Sequence, residues 1–422
     1  MNIKKKKVLW IVNLVMPDLA SYLGIKPGSS GTWMIDLARR LVDNENCDLA
    51  IACIYGKELR KYQINGITYY TLPGKPKNMY FYTPKFKKYW RDINEEFKPD
   101  LVHLHGTEYS HGLSFLQECD NVPALLTIQG VMCKISEAAF DGISTWQALT
   151  SNTLREWTHF SGMFMNNINR KMNLKYEREI IRRVKYVTGR TDWDRSILEA
   201  INPQIKYYRV FYNLRDEFYS SRKWSKEEVQ PYTIYASTSA QAVLKGGHVL
   251  LKALSLVKQK YPTVKAKFLL PNAENGEFVI NNGYGILINK LITRYKLEGN
   301  VTFIPSQNTQ GVISHMLQSH CVVIPSAMEN ASATLREAMH LGVPCVASYR
   351  GGMAELIDEG EDGFLYDFSE FEVLADKICR IFGDDGLATK ISQGAIKKAE
   401  IWHDRERNPR DMDEVYRKVL SD

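Results

Sequence analysis

Glu329 and Glu337 stand seven residues apart with Asn330-Ala331-Ser332-Ala333 and the start of a helix between them, and no other stretch of the chain concentrates as much potential chemistry. Upstream, Val322 to Ile324 is a short β-branched run closed by Pro325 and Ser326, which reads as a buried strand. Downstream, Ser332 is a natural N-cap for a helix over Ala333 to Leu341; Leu335, Ala338, Met339 and Leu341 give it an apolar stripe and Gly342 a stop. The first N–H groups of such a helix lack partners within it and sit at the positive end of its dipole, so residues Asn330 to Ala333 would let a phosphate approach the backbone. A carboxylate is a poor phosphate ligand but a good acceptor for vicinal hydroxyls. A substrate that satisfies both has hydroxyls on each side of its phosphates, as a nucleotide-sugar does: sugar hydroxyls toward one glutamate, ribose hydroxyls toward the other. The same spacing is also met by an amphipathic helix with a solvated glutamate at each end.

The elements that must position this loop repeat along the whole chain. At 422 residues it is too long for one core, so two domains are expected. With 44% hydrophobic and 24% charged residues it has the composition of a soluble protein, and no apolar run reaches the roughly 18 residues of a membrane helix. The basic start is followed by Val8 to Asn13, which is needed as a first strand, so it is not read as a signal peptide and the chain is expected in the cytoplasm. Seven scattered cysteines without a CxxC pair suit a reducing compartment and burial. Residues 1–213 hold 30 Lys and Arg against 21 Asp and Glu, leaving 25 against 27 beyond. The excess of positive charge in the first half would attract anionic headgroups or an anionic acceptor, or would simply be a solvated surface.

Strands are expected at Val8 to Asn13, Asp48 to Ile54, Ile67 to Leu72, Leu101 to His105, Ala124 to Ile128, Tyr186 to Gly189 and Tyr207 to Tyr212, with helices between. Gly28-Ser-Ser-Gly31 before a helix over Thr32 to about Val42 repeats the strand, glycine-bearing loop and helix start seen at Ser332, a weak signal by itself. Lys75 to Arg91 alternates cations with aromatic residues, a pattern that suits a bilayer interface, stacking on single-stranded nucleic acid, or partly buried rings with solvated lysines. His103, His105 and His111 lie close in sequence but lack the carboxylate and histidine partners that would complete a metal site. Glu108 and His111 fall just past the carboxyl end of a strand, where open α/β sheets place ligands, and are candidates for the acceptor side or the reaction centre; closing a loop is the competing role. Arg190 follows another strand, placed either for a phosphate or for an ion pair with Asp192 or Asp194. The predicted organisation is a first domain over 1–219 with a helical insert at 131–183, a linker at 220–230, a second domain over 231–400 and a terminal helix at 401–422. Strand and helix alternate in both halves, which implies an α/β chain of two Rossmann-like, doubly wound parallel sheets.

Glu329 and Glu337, with Gly342-Val-Pro-Cys-Val-Ala-Ser and Gly351-Gly-Met-Ala-Glu-Leu-Ile…Gly363-Phe-Leu-Tyr downstream, resemble the signature of the family-4 retaining glycosyltransferases of the GT-B fold. The match is specific from about Ile304 to Asp367. The resemblance implies two domains facing a cleft, with the terminal helix crossing back onto the first. It implies a nucleotide-diphospho-sugar donor, no metal and no cofactor. Donor contacts would come from Gly31, Lys245, Glu329, Asn330, Ala331, Ser332, Ala333 and Glu337, with Pro305 and Ser306 near the base. Gly31 would turn the chain toward the diphosphate from the opposite wall. Relatives commonly carry an Arg about five residues before Lys245; here small residues of Ser237-Thr-Ser-Ala-Gln241 stand there, so only Lys245 carries over as a point charge on phosphate, aided by the Ala331 to Ala333 amides. Many relatives also have a His after the strand that ends here in Gln129, a side chain that hydrogen-bonds but exchanges no proton near neutral pH. Lys245, Glu329, His111 and Gln129 are therefore the expected reaction-centre residues, and Glu108, His111 and Arg190 the acceptor side.

Gly106-Thr-Glu-Tyr, Gly189-Arg-Thr-Asp-Trp-Asp and Lys245-Gly-Gly-His are most similar to bacterial exopolysaccharide and capsule enzymes. That implies a lipid-diphosphate-linked glycan acceptor and peripheral contact of the basic first domain with the inner membrane face, and no nucleic acid. The same fold also serves sugar-nucleotide epimerases and disaccharide phosphorylases, and a nucleotide-sugar-binding scaffold without turnover is the alternative outside enzymes.

Overall fold

The computed structural model describes residues 5–25, 31–43, 47–74, 84–159, 161–239, 242–269 and 282–422. They cluster into two units, one formed by Met1–Met132, Met172–Arg215 and His403–Asp422, the other by Cys133–Lys171 and Asp216–Trp402. Residues 133–171, most of the expected insert of the first domain, thus cluster with the second unit.

The first unit holds an eight-stranded sheet made of β1 (Lys6–Ile11), β2 (Cys47–Ile54), β3 (Arg60–Ile64), β4 (Ile67–Leu72), β5 (Leu101–His105), β6 (Ala124–Thr127), β7 (Tyr186–Gly189) and β8 (Lys206–Arg209), in the order β3-β4-β2-β1-β5-β6-β7-β8. Every pair is parallel except β3 with β4. That hairpin turns through Asn65-Gly66, both at positive φ (50° and 77°), the backbone that a tight two-residue hairpin needs. Strands β4 and β5 are buried along their whole length, as expected of sheet covered on both faces.

The C-terminal helix Arg407–Ser421 adds Met412, Val415, Tyr416 and Val419 to the core that holds Val8, Trp10 and Leu49. Trp10 Nε1 donates to the Tyr416 hydroxyl at 2.9 Å, the hydroxyl lies 2.8 Å from His103 Nδ1, and His103 Nε2 lies 2.6 Å from Thr127 Oγ1. A buried polar chain satisfied in this way fixes the helix on the sheet more specifically than apolar contact alone.

The second unit holds a six-stranded sheet of β9 (Thr233–Ser239), β10 (Lys265–Leu269), β11 (Val301–Ile304), β12 (Cys321–Ile324), β13 (Cys345–Ser348) and β14 (Phe364–Tyr366), ordered β11-β10-β9-β12-β13-β14 and parallel throughout. In each sheet the order reverses once in the interior, between β1 and β5 and between β9 and β12. Such switch points open a crevice at the strands' carboxyl ends, because the helices following the two strands lie on opposite faces. Among the described residues no helix is long and apolar enough to cross a membrane.

Candidate functional site

At the switch point of the second unit, the loops after β9 and β12 meet through side chains. Lys245, in the short turn Val243–Lys245, donates from Nζ to Glu329 Oε1 at 2.5 Å, and Ser326 Oγ donates to the same oxygen at 2.9 Å. Ser348, the last residue of β13, donates from Oγ to the Ser326 carbonyl at 2.5 Å, so the support reaches one strand further. Glu329 Oε2 takes no hydrogen bond from a described residue. The Lys245 side chain is 40% exposed and that of Glu329 17%, so the pair is open to a ligand.

Backbone geometry holds this arrangement. Gly246 has φ 67°, and a Cβ there would lie 1.6 Å from the Pro325 carbonyl oxygen; Gly351 has φ 63°, and a Cβ there would lie 2.1 Å from the Glu329 carbonyl oxygen. Glycine is required at both, by conformation and by space. The Ala327 N–H donates to the Leu244 carbonyl at 2.8 Å and the Gly352 N–H to the Glu329 carbonyl at 3.0 Å, which ties the Glu329 loop down on both sides. Ser332 caps the helix Ala333–Leu341 by accepting from the Leu335 N–H at 3.4 Å, and Gly342 ends it at φ 79°. Asn330, Ala331 and Ser332 are buried, Ala333 is exposed and Glu337, about one turn in, is half-buried. The helix start, the lysine and the carboxylate thus share one loop system, and it can offer a phosphate a cation and the amides of a helix start.

The first unit places a second hydrogen-bonded pair across its own switch point. Asn13, after β1, donates from Nδ2 to Glu108 Oε2 at 2.8 Å, with Glu108 in the loop after β5. Gly106, at φ 95°, lets that carboxylate fold back; a Cβ there would lie 2.0 Å from Oε2. Burial pushes the Glu108 carboxyl up to about 7, the negative charge of Glu177 adds to the rise, and the Asn13 hydrogen bond and the charge of Arg190 oppose it. Glu177 is itself buried, accepting from the Met132 N–H at 2.6 Å and the Thr107 hydroxyl at 3.3 Å. His111 opens the helix His111–Glu118 and its Nε2 lies 3.2 Å from the Val12 carbonyl, so Nε2 carries the proton and donates. Burial lowers its pKa to about 4, and among the described residues its buried Nδ1 has no hydrogen-bond partner. At neutral pH this ring is an uncharged acceptor, not an acid.

The Arg190 guanidinium is not hydrogen-bonded to Asp192 or Asp194. That group donates to the Ile128 and Gln129 carbonyls at 3.2 and 3.4 Å and lies over the Tyr212 ring at 5.1 Å, which fixes the backbone at half-buried Gln129. Asp194 instead accepts from the Arg190 backbone N–H, and Asp192 pairs with Arg195 and Arg209.

The remaining expected residues are placed separately. Gly31 has φ 82° just ahead of the helix Thr32–Asp43, and a Cβ there would lie 2.7 Å from the Leu14 side chain. Pro305 and Ser306 are exposed beyond β11, at the edge of the second sheet. Gly28 to Ser30, residues 75–83 of the cation and aromatic run, and Ala240 with Gln241 lie outside the described residues. Among the described residues no group of three His, Cys, Asp or Glu is placed to hold a metal ion. Sequence reasoning missed Ser326, Ser348, Gly246, Asn13 and Glu177 as parts of these loops. Asn13 carried a signal, a polar residue at the end of a buried strand; Glu177, inside a charged helix, carried none.

Residues 219–398 match the family model described as Glycosyl transferases group 1. A D-inositol 3-phosphate glycosyltransferase from Corynebacterium urealyticum is 25% identical over 176 residues, 42% of this chain and 41% of that protein. The matched stretch therefore spans about two fifths of that relative's length. A sucrose-phosphate synthase from Thermosynechococcus elongatus superposes with a TM-score of 0.74 at 15% identity, covering 99% of this chain and 100% of the other. HepE from Anabaena, solved in complex with UDP-glucose, superposes with a TM-score of 0.65 at 18% identity over 98% and 99% of the two chains. At these identities the structural likeness shows the fold.

Proposed function

With residues 219–398 matching the group 1 glycosyl transferases and a GT-B fold, we propose that this chain moves a glycosyl group from a nucleotide-diphospho-sugar to a hydroxyl acceptor with retention at the anomeric carbon. The observation that carries the reading is the Lys245–Glu329 pair beside the Ser332-capped helix start. The bond from the anomeric carbon to the diphosphate breaks, the acceptor oxygen bonds to that carbon on the same face, and the acceptor proton passes to the departing phosphate oxygen. No protein base is needed, which agrees with Gln129 and a neutral His111. Lys245 and the amides of residues 331–333 offset charge gathering on the diphosphate, without a metal. The open Oε2 of Glu329 accepts from a sugar hydroxyl and Glu337 from the ribose. HepE, solved with UDP-glucose, supports the donor class.

On the acceptor side, Glu108 and His111 are the hydrogen-bonding groups, with Arg190 holding Gln129 in place. A lipid-diphosphate-linked glycan, reached at the inner membrane face through the basic first unit, is the acceptor this reading favours.

Incubation with a panel of sugar nucleotides, followed by proton NMR, tests it. Slow donor hydrolysis or transfer with the donor's anomeric configuration kept is expected. Inversion at C2 would make the chain an epimerase, phosphorolysis of a disaccharide a phosphorylase, and tight binding without product a scaffold. Glu337→Ala is expected to weaken nucleotide binding, and a calorimetric titration giving wild-type affinity would refute the ribose contact.

A further inference from the structure

The short helices Thr145–Thr150 and Leu154–Thr158 each start in a complete capping box, Ser144 with Gln147 and Thr153 with Glu156. Asn152 Nδ2 donates to the carbonyls of Ala148 and Leu149 at 3.2 and 3.0 Å and so closes the end of the first helix. Their inward positions are small: Ala148 and Ser151 are buried, and the Ser151 carbonyl oxygen lies 1.8 Å from where a Cβ on Gly283 would be. The pair is thus seated against the start of the helix Gly283–Arg294.

Their outward positions are large and apolar. Trp146 is 74% exposed, Leu149 50%, Leu154 81% and Trp157 61%, two i,i+3 pairs. Folding of the second unit does not bury them, and exposed apolar groups this size mark a surface that something covers. Charge identifies what. Between residues 143 and 159 the formally charged side chains are Arg155 and Glu156. The Glu156 carboxylate is engaged by the Thr153 N–H and hydroxyl at 2.8 and 3.0 Å, while Arg155 is exposed. Exposed Lys290 adds a second cation, with Nζ 3.2 Å from the Thr150 carbonyl at the end of the first helix. Indole rings sit at headgroup level, leucines enter the acyl boundary and cations bind lipid phosphates. We propose that residues 144–159 form a docking surface for an anionic phospholipid bilayer. This surface belongs to the second unit and does not depend on the transfer chemistry or on the basic first unit.

Sedimentation of the full chain with phosphatidylglycerol vesicles and with phosphatidylcholine vesicles tests it. Wild type is expected to bind the anionic vesicles at least about tenfold more tightly. Replacing Trp146, Leu149, Leu154 and Trp157 together by Ser should reduce that binding about tenfold or more with the thermal midpoint kept, since the side chains are exposed. Arg155→Gln with Lys290→Gln should reduce it less and blunt its salt dependence. Wild-type sedimentation by the Ser variant, or no vesicle binding by wild type, overturns the proposal. So does a wild-type dimer that binds no vesicles and that the Ser variant dissociates, since the occupant is then a second copy. Donor consumption in solution, measured on the same variants, reads the transferase reading separately and is expected to be unchanged.

Discussion

Across β9 and β12 the facing groups are a lysine and a glutamate, open to solvent and anchored by glycines and serines; across β1 and β5 they are an asparagine and a glutamate beside a second, buried carboxylate and an uncharged histidine. The topological place is the same and the electrostatics differ. A charged pair suits a ligand that brings its own charge and changes it during reaction. A pair without a cation suits hydroxyls, which need donors and acceptors but no counter-ion. Under the proposed function, the second unit would meet the diphosphate and the first an uncharged acceptor group.

The strongest way to break the contrast is Lys245→Ala. Loss of a preorganised donor to developing charge costs about 3 kcal/mol, about a hundredfold in turnover. Single-turnover kinetics should show that fall with a smaller change in donor affinity, and unchanged turnover would remove Lys245 from the mechanism. Next is Gly246→Ala, which puts a methyl carbon into the Pro325 carbonyl and a side chain at φ 67°. It should destabilise the second unit by at least about 2 kcal/mol, visible as a lower thermal midpoint, whereas Gly299→Ala, where no atom lies within 4 Å of the added carbon, should not.

In the first unit, Glu108 sharpens the contrast. Its folded carboxyl titrates near 7 and its unfolded one near 4.5, so between these values the folded state holds a proton that the unfolded state has released. Its contribution to stability therefore falls as pH rises from about 4.5 to about 7 and is flat above. Glu108→Gln removes the loss. The variant should gain on wild type across that window, by on the order of 2 kcal/mol at pH 8 once partial exposure is allowed for, measured by denaturant titration at several pH values. His111 acts in the opposite sense: its pKa is lowered, so its contribution is present above the ordinary histidine value and is lost as pH falls through about 4. The smallest effect is that of Ser326→Ala, which deletes one of two hydrogen bonds to Glu329 Oε1; about 1 kcal/mol, a fivefold rise in donor KM with kcat nearly kept, is expected.

Periodicity and punctuation made the strand and helix alternation legible, and the Ser332 cap with its Gly342 stop follows the sequence residue for residue. Three strands escaped. β3 is mostly polar and sits at a sheet edge, although its Asn65-Gly66 turn was in plain view; β13 and β14 are four and three residues long, too short for a pattern to declare itself. Strand ends shifted as well: β8 ends at Arg209, where its pairing with β7 stops, although the apolar run continues to Tyr212. Single residues of the loops were readable where a motif carried them, as with Lys245 and Glu329. Arg190 was not, because its target is a pair of backbone carbonyls, and carbonyls leave no mark in a sequence.

The most direct test of the account compares two dissociation constants, that of the sugar nucleotide selected by the donor panel and that of the nucleoside diphosphate it releases, in wild type and in Lys245→Ala. If Lys245 meets charge that grows as the diphosphate departs, wild type binds the released diphosphate more tightly than the donor and the variant largely loses that preference. An equal preference in both proteins would contradict the claim that this lysine faces the leaving group.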